Sequence, residues 1–154
     1  MKKHFDLTLP QKTLEGACLV LLAGMILLPF LLWNRLPDQI PGHYNGAGEI
    51  DRWTGKIELF VLPFAGLFLY AVISFPCAIL REHCRTGEVP QSACTCLTGL
   101  KLMMLGIFAV IEWHSASVQP MVGWLTLAVY ILSGALMAGF AIACIRFAVK
   151  QRRK

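Results

Sequence analysis

Charge is what this chain has least of. Asp, Glu, Lys and Arg supply 15% of its 154 residues, against about 25% in soluble domains, while aliphatic, aromatic and cysteine residues reach 56%. That shortage excludes a disordered chain and argues against an ordinary soluble domain. Several signatures are missing as well. There is no nucleotide-binding glycine loop, no membrane-protease motif and no triad signature, so the sequence points away from an enzyme, and no cofactor is expected. A cleavable leader needs a short apolar core followed by small residues. The first apolar run here is longer and leaves through Trp33, Asn34 and Arg35, so it is expected to stay in the mature protein.

What the chain does have is long apolar runs. A bilayer core about 30 Å thick takes roughly 20 apolar residues per helix, and residues 14–33, 57–80, 97–113 and 121–145 meet that need. The expectation is an all-α integral membrane protein, a single membrane domain over 1–154 with four transmembrane helices. Around them lie an outer loop at 34–56, a cytoplasmic loop at 81–96 and a basic tail at 146–154. Pro29, Pro63 and Pro76 fall inside runs, where they kink a helix without ending it. Ser133, Gly134, Ala135, Ala138 and Gly139 offer a small-residue face for close helix packing, which leaves a second copy of the chain open as a partner.

Lys and Arg set the orientation. Lys2, Lys3, Lys12, Arg81, Arg85, Arg146, Lys150, Arg152, Arg153 and Lys154 fall on one side, and only Arg35, Arg52 and Lys56 on the other. The positive-inside rule then predicts both termini in the cytoplasm. Trp33, Trp53, Trp113 and Trp124 cluster at the outer ends of the runs, as an interfacial belt requires. The six cysteines avoid the outer loop, as suits a reducing interior. The net charge of +5 is therefore read as a lipid anchor, not a nucleic-acid footprint.

Ionisable residues inside a span are expensive and are candidate functional groups by default. Glu15, Glu58, Lys101 and Glu112 all stand near the ends of their runs, where each is expected to reach water or headgroups. Lys101 and Glu112 are about 16 Å apart along one helix and cannot pair within it. Tyr70 and Tyr130 lie at mid-span, and their hydroxyls call for interhelical partners.

The 34–56 loop is the densest stretch of special residues. Pro37 and Pro41 force an extended entry, Asn45-Gly46 is a strong turn dipeptide, and Gly48 adds a second permissive position. Residues 40–44 and 49–53 are read as the two arms of a short, ordered, hairpin-like loop. If the arms pair, His43 and Tyr44 come near Glu49, Asp51 and Arg52. Three readings are open: a polar clamp of His43, Asn45, Asp51 and Lys56 over the helix ends, a ligand site, or a divalent metal held by His43, Glu49 and Asp51. A second metal candidate is His83, Cys84, Cys94 and Cys96, although its spacing lacks the paired elements of zinc sites.

The run Leu36-Pro37-Asp38-x-Ile40-Pro41-x-His43-Tyr44-Asn45-x-x-Gly48-x-x-Asp51-x-Trp53-x-x-Lys56, between two apolar spans, resembles the bacterial membrane domain of unknown function 1648. That domain also forms the N-terminal part of SdpI-type immunity proteins. The resemblance covers about residues 14–80. It implies a multi-pass protein of the bacterial cytoplasmic (inner) membrane, with Pro37, Asp38, Pro41, His43, Tyr44, Asn45, Gly48, Asp51, Trp53 and Lys56 as the ligand or structural motif. The second SdpI-type segment, with its arginine-threonine-proline core, does not occur here. The expected function is non-enzymatic, in peptide-toxin immunity or envelope sensing through the outer loop. The alternatives are metal-dependent or small-solute transport, or a structural partner role. Expected partners are the lipid bilayer and either a secreted peptide or another membrane protein.

Overall fold

The structure, a computed structural model, describes residues 7–86 and 91–121 together with isolated positions between 123 and 142. Helix α1 runs over Leu9–Leu32, strands β1 over Gln39–Tyr44 and β2 over Ile50–Gly55, and a 3-10 turn over Lys56–Phe60 leads into α2 at Val61–Thr86; α3 follows at Gln91–Ser117. Three helical stretches among the described residues, Leu9–Leu32, Lys56–Arg81 and Ala93–Ser117, are long and apolar enough to cross a membrane. The protein is a multi-span membrane protein.

This corrects the expected four-helix, all-α fold on two counts. Three membrane-length helices stand where four were expected; the fourth run, 121–145, falls largely outside the described residues. The segment between α1 and α2 is a two-stranded antiparallel sheet and not merely a loop. Its residues explain this: Pro37 and Pro41 forbid helix, whereas Ile40, Tyr44, Ile50, Trp53 and Thr54 are β-branched or aromatic side chains that favour a strand.

Local chemistry sets the helix ends. At the start of α1 the Thr8 backbone N–H donates to Gln11 Oε1 at 3.2 Å, and Pro10 occupies the first turn, where a missing N–H costs nothing. At its far end the Arg35 and Leu36 N–H groups fold back to the Leu32 carbonyl, and Pro37 follows. Along α1, Cys18, Leu22, Met25 and Pro29 recur at helical spacing on one buried stripe. Cys18 and Leu22 pack with Leu105 of α3, and Leu69 and Tyr70 of α2 close over them. Gly66 lets α2 come close, since a Cβ there would lie 3.3 Å from Leu105 Cδ2 and 3.4 Å from Met25 Cε. The opposite faces carry exposed Val20, Leu27, Phe64, Phe68 and Phe75, the surface expected against lipid tails.

The three helices also share a polar centre. Lys101, with no exposed surface, places Nζ 2.8 Å from both carboxylate oxygens of Glu15 and 3.1 Å from Ser74 Oγ. The Tyr70 hydroxyl donates to Glu15 Oε1 at 2.5 Å, and the Tyr70 ring lies 4.2 Å from Nζ. Tyr70 thus has the interhelical partner its depth calls for; Tyr130 lies outside the described residues. For Lys101 and Glu112 the sequence expectation is wrong, because neither reaches water. Lys101 turns inward onto a carboxylate of another helix, and Glu112 is also fully buried. Position along a helix gives depth but not direction.

Removing one member of a buried pair strands the other. Glu15→Gln should lower the unfolding free energy in detergent micelles by roughly 3–5 kcal/mol, and adding Lys101→Met should restore most of that loss. A double variant as unstable as the single one would show that the pair does not join the helices.

Candidate functional site

The hairpin is built from its turn outward. The Asn45 carbonyl accepts the Gly48 N–H at 2.9 Å, and the Asn45 side-chain oxygen accepts the N–H groups of Ala47 and Glu49 at 2.9 and 3.0 Å. Asn45 Nδ2 in turn donates to Glu49 Oε2 at 2.9 Å. Gly48 has φ +84°, the left-handed backbone that glycine adopts without strain. A tight turn followed by a left-handed glycine fixes the strand register. Gln39 pairs with Gly55, Ile40 with Thr54, Pro41 with Trp53, and Tyr44 with Ile50; the ladder is irregular around His43, which pairs with Arg52. Proline has no N–H to give a ladder, so the irregularity beside Pro41 is where a two-stranded sheet tolerates it.

Two sets of contacts hold this sheet against the helices. At its base Leu36, Ile40 and Leu59 are buried together, with Leu32, Trp33 and Ala116 packed around them. Lys56 Nζ lies 3.3 Å from Asp38 Oδ1 and 5.2 Å from the centre of the Trp33 ring. At its edge the hairpin meets the end of α3 and the residues after it. Ser115 Oγ donates to the Pro41 carbonyl at 2.8 Å, the Tyr44 hydroxyl to the Gln119 carbonyl at 3.2 Å, and the Met121 N–H to the Gly48 carbonyl at 2.8 Å. Burial pushes the Tyr44 hydroxyl above its ordinary pKa, with the Ser115 hydroxyl opposing, so Tyr44 stays a donor at neutral pH.

The α3 terminus that receives the hairpin is itself strained. The Val118 N–H bonds to the Ser115 carbonyl and the Gln119 N–H to the His114 carbonyl, the paired bonds of a helix C-cap whose next residue is usually a left-handed glycine. Here that residue is Val118, with φ +56°, an uncommon conformation for a β-branched side chain.

The structure therefore divides the sequence motif. Pro37, Asp38, Pro41, Tyr44, Asn45, Gly48 and Lys56 shape or dock the hairpin. His43, Asp51, Arg52 and Trp53 are exposed on it. His43 Nδ1 stands 2.6 Å from Asp51 Oδ1, so the carboxylate holds one ring nitrogen as a donor and leaves the other for a ligand. Arg52 reaches the Gly42 carbonyl at 3.3 Å and Glu58 at 3.7 Å. Trp53 is half-exposed. Ser115, Gln119 and Met121, which the sequence reading did not single out, are what the hairpin docks on. Their contacts are largely backbone contacts, which leave no residue-type signature.

Neither metal reading gains support. Glu49 bonds to Asn45 rather than joining His43 and Asp51, and no group of three His, Cys, Asp or Glu side chains suited to a metal occurs among the described residues. In the second candidate set, Cys94 is buried, His83 Nδ1 lies 3.0 Å from the Ile79 carbonyl, and the side chain of Cys84 lies outside the described residues.

Residues 20–67, from α1 through the hairpin into α2, match the family model described as Domain of unknown function (DUF1648). Over 52 residues the chain is 37% identical to an uncharacterized protein of Archaeoglobus fulgidus. That stretch is 34% of this chain and 28% of the archaeal protein, so the chain covers under a third of that relative's length. No solved structure matches the chain. The similarity supports the domain assignment over the hairpin and its flanking helices, and the relative is archaeal rather than a bacterial immunity protein.

Two backbone substitutions should act in opposite directions. Gly48→Ala places a Cβ against the Met121 carbonyl in a left-handed backbone and should destabilise docking by about 1–3 kcal/mol. Val118→Gly should stabilise the same contact, by up to about 1 kcal/mol. Trypsin cleavage at Arg52 in detergent-purified protein reads both, faster for the first variant and slower for the second.

Proposed function

We propose that the protein is a non-enzymatic membrane protein that uses its docked hairpin to bind a secreted peptide or another envelope ligand, in toxin immunity or envelope sensing. The observation that carries this reading is the exposed set His43, Asp51, Arg52 and Trp53 on a hairpin whose remaining motif residues are spent on holding it still. A rigid strand pair presenting an aromatic ring, a guanidinium and a carboxylate-held imidazole combines the groups enriched where proteins bind ligands tightly. Its two-stranded sheet also leaves β2 with no strand beyond it among the described residues, an edge to which an extended peptide can add.

In this reading the hairpin faces the outside of a bacterial cytoplasmic membrane. Support comes from the charges: only Arg35, Arg52 and Lys56 lie on the hairpin side of the first two spans, while Lys2, Lys3, Lys12, Arg81 and Arg85 lie beyond their other ends. Trp33, Trp53 and Trp113 gather at the hairpin end, as an aromatic belt would.

Two measurements test the proposal. A Gly46→Cys variant, at the exposed tip, should react with a membrane-impermeant thiol reagent in intact cells; reaction only after lysis would put the hairpin inside and end the proposal. Cells carrying the protein should then outlive cells without it under at least one of a panel of secreted antimicrobial peptides. That advantage should fall by about tenfold in a His43→Ala/Trp53→Ala double variant, the loss expected from truncating binding hot spots. Equal survival with and without the protein under every peptide would overturn the binding role.

A further inference from the structure

Glu112 has no place in the hairpin or in the Glu15–Lys101 centre. It lies in the last third of α3, fully buried, and neither carboxylate oxygen has a hydrogen-bond partner among the described residues. Lys101 is about 16 Å away along the same helix and is already bonded to Glu15. An unpartnered carboxylate inside a membrane span is costly, and such a residue is retained where something binds to it.

The surroundings of Glu112 indicate what that is. It lines a cleft of about 530 Å³ between α1 and α3, whose other walls include Val20, Gly24, Met25, Leu28 and Leu102, with Trp113 beside it. The cleft is within the size range of sites for drug-sized molecules. Val20 and Trp113 are largely exposed, so on the apolar outer face of the bundle the cleft opens sideways toward lipid. The described lining residues are apolar except for Glu112 and the indole N–H of Trp113, and the Glu112 carboxylate, which accepts hydrogen bonds and attracts positive charge, lies just beneath the cleft wall. The indole of Trp113 adds an aromatic face that favours cations.

From this complementarity we infer that the α1/α3 cleft is a binding site for a lipophilic amine, entered from the bilayer, with Glu112 receiving the ammonium and the α1 wall holding the apolar chain. The site is separate from the hairpin, and its ligand class is set by one acid in an apolar slot: a single positively charged hydrogen-bond donor on a hydrocarbon body.

The test is equilibrium binding of radiolabelled dodecylamine to the full chain in nanodiscs of zwitterionic lipid, with empty nanodiscs as the blank and dodecanol as the neutral competitor. The expected result is one saturable site, weakened about tenfold or more in Glu112→Gln, as loss of a buried charge partner implies. Gly24→Leu provides a second route to the same answer. Gly24 lines the cleft and a Cβ there meets nothing within 4 Å, so a larger side chain enters the cleft from the α1 wall and should weaken binding comparably while thermal stability is kept. Dodecanol should compete poorly. Absence of saturable binding would overturn the inference. Equal affinity in both variants, or equal competition by alcohol and amine, would overturn it as mere partitioning into lipid. None of these outcomes depends on the hairpin, so the proposal of the preceding subsection stands or falls separately.

Discussion

A lysine ammonium with no exposed surface sits inside the membrane bundle, and the rest of the packing depends on how it is neutralised. Lys101 comes from α3, its counter-charge Glu15 from α1, and the hydroxyls of Ser74 and Tyr70 from α2. Apolar contact alone selects weakly among helices in lipid, because the alternative to a neighbour is an equally apolar hydrocarbon tail. A buried ion pair with hydroxyl partners is selective, since any other register leaves a charge unpaired. Cys18, Leu22 and Leu105 then pack where this polar centre has already set the helices against one another.

The hairpin follows a different rule. It lies at the other end of the bundle and is held by a buried apolar base, by the Ser115 hydroxyl of α3 donating to the Pro41 carbonyl, and by the Tyr44 hydroxyl donating to the Gln119 carbonyl just beyond α3. Val118 in the left-handed region shows that the chain accepts local strain to turn at that point. That turn delivers the Gln119 carbonyl and the Met121 N–H to the hairpin edge.

How much of this could be read from residues alone depends on whether the cause is local. Pro37, Pro41, Asn45 and Gly48 act on their own backbone, so the turn position is visible in sequence. Three of the apolar runs are visible for a similar reason, since length and composition decide whether a helix can span. The pairing of Lys101 with Glu15 is not visible, because 86 positions separate them and helical spacing says nothing about which helix lies opposite. Glu112 is hidden for the same reason: nearness to a span end suggests access to water, whereas packing against α1 buries it. The strands are legible in part: Asn45 and Gly48 place the turn, but how far the ladder extends, out to Gln39 opposite Gly55, and where it is irregular depend on both arms together.

The hairpin's docking contacts also bear on the order of events during synthesis. The hairpin enters with the first pair of spans, but Ser115 and Gln119 are 74 and 75 positions downstream of the groups they bind. Glu15 likewise precedes its lysine by 86 positions. A nascent chain halted after α2 would therefore hold an unmatched acid in the bilayer and an undocked sheet at its surface. Arrival of α3 supplies partners at both ends of the bundle, Lys101 for Glu15 and Ser115 for the hairpin, so the two-span intermediate is the state that presents unmatched groups to membrane quality control.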